Sequence, residues 1–201
     1  MSPRTVPDPA RRNERSRRAI LTAAVDLVGE VGYRNLTIEA IAARAGVGKQ
    51  TIYRWWHSKG AVVFDGFLLL QEDEGDLTLP DSGDIHADLT ALLRSTVTDL
   101  VDPGREATYR ALNAEIQHDP ALASDLVDHL LAPLLDATRR RLDTAQRVGQ
   151  IAPDVDLDLA VELLYGPVYH RWLLRTAPLT GDFAAGLVTL VMRALRSPPD
   201  A

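Results

Sequence analysis

The chain has 201 residues, 46% apolar and 25% charged, a globular composition that excludes a disordered or fibrous protein. With no cysteine, it cannot build a disulfide framework, a zinc finger, a thiolate metal site or a cysteine nucleophile. The net charge of −6 is uneven: residues 1–60 carry 11 basic and 5 acidic side chains (+6), the remainder 11 and 23 (−12), so a polyanion suits the head alone.

In chain order, residues 1–12 hold Pro3, Pro7 and Pro9 together with arginines, and read as a flexible basic arm. Ile20, Ala24, Leu27 and Val31 recur at helical spacing, and Gly32 follows as a stop. Thr37 is a candidate N-cap for a second helix that puts Ile38, Ile41, Ala42 and Ala45 on one face. Gly46-Val47-Gly48 breaks that helix, and Lys49 to Trp56 forms a third. Ser58 can cap a fourth, with Val62, Val63, Phe67 and Leu70 on its apolar side. Residues 71–83 are acidic and turn-rich, a connection. Further helices are expected at about 84–101, 104–117, 119–148, 155–176 and 181–196. Asp119-Pro120 starts the third of these, and Pro133 should kink or split it. No strand signal and no solenoid period is visible. The expected fold is all-α: an arm (1–12), a three-helix head (13–58) and a larger helical bundle (59–201).

Residues 37–56 carry the chemistry. Two short helices joined by a glycine-containing turn make a helix-turn-helix pattern. Ala42 and Ala45 let the helices approach, Gly46 can take positive φ, and Val47 and Ile52 can fill the angle. The outward groups of the third helix are Lys49, Gln50, Thr51, Tyr53, Arg54 and Trp55, with no acid among them. Cations, amides and hydroxyls are what contact phosphates and base edges in a major groove. A helical hairpin inside any bundle is the plainer alternative.

Residues 13–60 resemble the DNA-binding domain of the TetR family of bacterial transcriptional regulators. The resemblance lies in Ile20 to Tyr33, Leu36-Thr37-Ile38, Ile41 to Lys49, Thr51 to Trp56 and Ser58-Lys59. His57 stands where proline or glycine is more usual. The resemblance implies a homodimer that binds a near-palindromic operator on double-stranded DNA. It further implies a C-terminal pocket for a small-molecule effector whose binding weakens operator binding, and repression as the commonest role. A DNA-binding regulator without an effector is the alternative. By position, Thr37, Arg44, Gly48, Lys49, Gln50, Thr51, Tyr53, Arg54, Trp55 and Lys59 are expected at the DNA. Gln50 can pair bidentately with adenine, although a phosphate or water contact is equally open. Tyr53 and Lys59 look like the family's backbone contacts, and Arg44 could instead pair with Glu39 or another acid. Trp56 is expected to pack inside, and Arg11, Arg12 and Arg15 to enter the minor groove or neutralise phosphate.

Two apolar faces late in the chain are expected to form the dimer interface, as in the family. One holds Val161, Leu164, Val168 and Trp172, the other Phe183, Leu187, Leu190 and Val191; an intramolecular core is the alternative. Candidate effector contacts are Tyr109, Asn113, His118, His129, Tyr165, Tyr169 and Trp172, polar or aromatic groups on otherwise apolar helices.

An enzyme is not expected. The pair Asp125 and His129 is isolated, and there is no phosphate loop, nucleophile elbow or HExxH. No metal or cofactor is called for. A membrane-surface role for the basic first helix is weakened by Asp26 and Glu30. No run approaches ~18 apolar residues, and Met1-Ser2-Pro3-Arg4 lacks a signal-peptide core. A cytoplasmic protein is expected.

Overall fold

The computed structural model describes residues 9–72 and 79–196, and over these it contains helices and no strands. The α-helices are α1 (Pro9–Val31), α2 (Ile38–Ala45), α3 (Lys49–Tyr53), α4 (Lys59–Glu72) and α5 (Ile85–Leu100). They continue with α6 (Glu106–Glu115), α7 (Pro120–Leu126), α8 (Ala132–Arg147), α9 (Leu157–Leu174) and α10 (Gly181–Leu195). Residues 1–8 of the expected arm and 73–78 of the expected connection lie outside the described residues. The α1 backbone is already helical at Pro9, inside the stretch expected to be arm. Proline is well suited to a first helical position, because its missing N–H has no partner there anyway.

The helices group into two units. The first takes α1 to α4 together with Ala107–Leu126. Its core is built on Ile20, Leu21, Ile41, Ile52, Val62 and Phe67, all fully or nearly fully buried. Removing a side chain of this size from water contributes about 1.5–3 kcal/mol. Helices α1 and α4 approach closely at Gly66: a Cβ there would sit 2.8 Å from the Leu21 carbonyl oxygen and 2.9 Å from Val25 Cγ2. α4, expected to belong to the larger domain beginning at residue 59, thus packs on α1 instead. Phe67 also meets Tyr109 edge to face, with ring centroids 4.7 Å apart.

The second unit contains α5, α8, α9 and α10. α10 packs against α5 and α9, and α8 against α9, around Leu89, Leu93, Leu142, Leu164 and Val188. Among its described residues lies one buried ion pair. Asp88 is 2% exposed and accepts from Arg141 Nε (2.9 Å) and Nη2 (2.6 Å). The Ser82 hydroxyl donates to Asp88 at 2.6 Å, and the Ser82 N–H lies 3.2 Å from both carboxylate oxygens. These bonds tie the residues before α5 to α5 and α8. Asp84 then caps α5 by accepting from the N–H groups of His86 and Ala87.

The long helix expected over 119–148 is split. Asp119 caps α7 through the Leu122 N–H at 3.1 Å, and Pro120 opens the helix, in line with the sequence pattern. A π-helical turn, Val127–Leu131, then intervenes, and Pro133 stands in the first turn of α8. Pro133 has no N–H for the residue-129 carbonyl, and its ring would collide with that carbonyl in an unbroken α-helix. The wider π turn relieves the conflict. α9 accommodates its own internal proline, Pro167, without a break.

The expected dimer face needs correction. Val161, Leu164, Val168 and Trp172 of α9, and Leu187 and Val191 of α10, are buried in the core of their own chain, the intramolecular alternative, and leave little surface for a second copy. Phe183 is half-buried beneath the Arg171 guanidinium, 3.7 Å from the ring centroid. Leu190 alone of the eight is exposed, at 64%. α9 is apolar nearly all round, and the denser stripe turned inward. The stripe left outside carries Leu159, Leu163, Leu173 and Leu174.

Candidate nucleic-acid interface

Local chemistry sets the helix-turn-helix. Thr37 is extended (φ −128°, ψ 153°), and its Oγ1 accepts from the Ala40 N–H at 3.1 Å, capping α2. Gly46 ends α2 in the left-handed region (φ 67°, ψ 33°), where a side chain would be strained. The Val47 N–H then returns to the Ala42 carbonyl at 3.0 Å, closing the turn. Gly48 precedes α3 and accepts the Thr51 N–H at 2.8 Å. Ile52 is fully buried and pins α3 to the head.

α3 ends at Tyr53, three residues short of the expected Trp56. The chain turns at Arg54 and Trp55 so that Trp56 can enter the core, where its indole N–H donates to Asp65 at 2.8 Å. Asp65 also receives Arg17 at 3.4 Å. Ser58 caps α4 through the Ala61 N–H, as expected.

Around this frame, Lys49, Gln50, Tyr53 and Arg54 are exposed, and Thr51 and Trp55 are partly buried. Trp55 stands edge-on to Trp56 (5.4 Å), with the Arg54 guanidinium 5.1 Å from its ring. Arg44 is held bidentately by Glu30 on α1, at 2.9 and 2.6 Å. That bond to Arg44 keeps the Glu30 carboxyl below the usual carboxylate range. Glu39, in the first turn of α2, lies 3.2 Å from Lys49 Nζ. Its own backbone N–H, then Lys49, hold its carboxyl low. Lys59 is engaged within the head. Its Nζ donates to the carbonyls of Tyr33 (2.9 Å) and Leu36 (3.1 Å) and lies 4.4 Å from the Tyr33 ring centroid. Two of its three N–H donors are thereby used, which leaves one for a phosphate. Arg15, Arg18, Thr22, Asp26 and Arg44 line an open groove of about 430 Å³ between α1 and α2. The backbone at Arg11 and Arg12 is helical.

Sequence reasoning allowed Arg44 an acid partner, Glu39 or another, but identified neither Glu30 as that acid nor Glu39 as the partner of Lys49. Glu30 gave no signal, because it meets Arg44 only once α1 and α2 pack. Glu39 did give one, as an acid in the first turn of the helix that precedes Lys49.

The candidate effector contacts are not gathered into one unit. Tyr109, Asn113 and His118 belong to the first, and His129, Tyr165, Tyr169 and Trp172 to the second. His118, His129 and Tyr169 are exposed, and Trp172 is buried. Tyr165 is mostly buried, its hydroxyl 2.9 Å from Thr138 Oγ1, and burial pushes its phenol up to about 12. A groove of about 550 Å³ near the start of α5 is lined by other residues, among them His86, Gln150, Met192 and Arg196. Among the described residues no cluster of three or more metal-ligating side chains occurs, and no helix is long and apolar enough to cross a membrane.

Residues 20–65 match the family model described as bacterial regulatory proteins, tetR family. Residues 79–191 match the model described as tetracyclin repressor-like, C-terminal domain. The chain is 30% identical to the uncharacterized HTH-type transcriptional regulator YdeS of Bacillus subtilis (strain 168), over 92% of each chain. It is 28% identical to the DNA-binding transcriptional repressor TetR of Mycobacteroides abscessus, over 93% of this chain and 97% of that one. Among solved structures, the TetR family transcription regulator SCO0332 has a TM-score of 0.70 and 36% identity, covering 92% of this chain and 99% of that one. FadR from Bacillus subtilis in complex with stearoyl-CoA has a TM-score of 0.65 at 20% identity, covering 87% of this chain and 96% of that one.

Proposed function

The chain belongs to the TetR family of DNA-binding transcriptional regulators, and from that premise we propose that it is a cytoplasmic homodimeric repressor of a near-palindromic operator. The observation that carries this reading is the presentation of α3. Its Ile52 is buried while Lys49, Gln50, Tyr53 and Arg54 face solvent, on a turn fixed by Gly46. In the proposed complex α3 enters the major groove. Gln50 reads a base, while Lys49, Tyr53, Arg54, Trp55 and the edge formed by Thr37, Gly48 and Thr51 contact backbone or base edges. Arg44 and Lys59, already engaged within the head, contribute less.

Selection of the purified chain on random duplex DNA tests this reading. Recovery of a sequence with two symmetric half-sites about one helical turn apart is expected. Retention that is salt-sensitive but blind to sequence would overturn it.

In this reading the dimer forms on the exposed stripe of α9, with Leu159, Leu163 and Leu173, and on Leu190 of α10. An exposed apolar surface of this kind suits burial against a second copy. Leu163→Asp combined with Leu190→Asp is expected to shift sedimentation from dimer to monomer with unchanged helicity. A dimer that survives both substitutions would place the interface elsewhere.

A small-molecule effector in the C-terminal helices, releasing the operator, completes the proposal. Support comes from the family and from the stearoyl-CoA held by FadR, a protein of the same fold. The Tyr165–Thr138 pair, a polar contact in an apolar unit, is the proposed recognition point.

A further inference from the structure

Two of the cations expected to meet DNA are already matched by acids of the same head. The pair on the helix-turn-helix itself is the more telling. The Glu39 carboxylate sits in the first turn of α2, 3.2 Å from Lys49 Nζ at the start of α3. Both partners are more than half exposed, at 63% and 56%, so the contact faces the solvent from which DNA arrives. An anion beside the amino end of a helix and bonded to a lysine is what a DNA phosphate would be at this place. We propose that Glu39 occupies the position of an operator phosphate in the free protein and competes with DNA for Lys49. This rests on the DNA-binding reading of the head.

The consequence follows from ion counting. A lysine that neutralises a phosphate releases condensed cations from the duplex, steepening the fall of affinity with salt by about one unit per contact. If Lys49 must first leave Glu39, the freed carboxylate recruits a cation of its own and cancels much of that release. Glu39 thereby restrains the salt-sensitive, sequence-blind part of DNA binding.

The test uses the full chain and a fluorescein-labelled mixed-sequence duplex, titrated by anisotropy across potassium chloride concentrations. Glu39→Gln is expected to bind about tenfold more tightly near 0.1 M salt, with a slope steeper by about one per engaged head. Asp154→Asn, on an exposed loop residue of the other unit, removes the same charge and is expected to change neither. Lys49→Gln is expected to leave the slope close to that of the unaltered chain, where Glu39 already cancels most of the release due to Lys49, and in that background Glu39→Gln should give no further gain. Persistence of the Glu39→Gln gain without Lys49 would overturn the proposal, since Glu39 would then act as a general repulsive charge. Equal or weaker binding by Glu39→Gln would also overturn it. If the unaltered chain bound no duplex at any salt concentration, the DNA-binding reading itself would fail.

Discussion

Replacing Arg141 with leucine is expected to lower folding stability by about 3–5 kcal/mol, because it leaves Asp88 charged and buried with its main partner gone. Removing both charges together, in Arg141→Leu with Asp88→Leu, should recover most of that loss, since an apolar pair of similar volume leaves nothing to solvate. Urea titration at one fixed chain concentration checks both, the concentration mattering for any protein that associates. Acid gives an independent signature. Burial pushes the Asp88 carboxyl up, but the Ser82 hydroxyl, Arg141 and the Ser82 N–H together outweigh it and hold the group below its ordinary range. A lowered folded-state value means that this contribution is complete above the ordinary carboxylate pKa of about 3.9. It disappears as pH falls through the folded value. The gap between Arg141→Leu and the unaltered chain should therefore narrow on acidification, as protonation removes the buried charge. A gap that stays constant would assign the loss to packing of the arginine stem instead.

Gln50→Ala should separate reading from holding. A bidentate amide–adenine pair discriminates by about 1–3 kcal/mol, and a symmetric dimer makes the contact twice. Loss of operator affinity by about 30-fold is thus the low end of expectation. Binding to mixed-sequence duplex should not change. Lys49→Ala should weaken both duplexes alike, because a phosphate contact carries no sequence information. Equal loss on both duplexes for Gln50→Ala would move that side chain from base to backbone.

Features written in adjacent residues are legible in the amino-acid sequence alone. The Thr37 and Ser58 caps, the Gly46 turn and the Asp119-Pro120 start each depend on atoms within a few positions of one another. Pro133 announces a break, although not that the break takes a π form. Pairings across the fold are not legible: Glu30 meets Arg44 across 14 positions, and Asp88 meets Arg141 across 53. The sharpest miss is α9. Periodicity identifies the buried stripe of a helix when the other side is polar. α9 carries Leu159, Leu163, Leu173 and Leu174 opposite Val161, Leu164 and Val168, so pattern could not say which stripe faces inward. Competition with the rest of the unit decided it. The expected boundary at residue 58 falls where the motif ends, whereas α4 is joined to α1 by the close approach at Gly66.

The placement of the three tryptophans has a practical consequence. Trp172 is sealed in the second unit, and Trp56 is buried with its indole bonded to Asp65. Trp55 alone is partly open, directly after α3 and beside Arg54. The unlabelled protein therefore carries its own optical gauge: buried Trp172 supplies a background from the other unit, and buried Trp56 lies 5.4 Å from Trp55 and follows that residue's surroundings. Trp55 itself, at the proposed contact surface, is the one whose colour and brightness respond directly when something docks there.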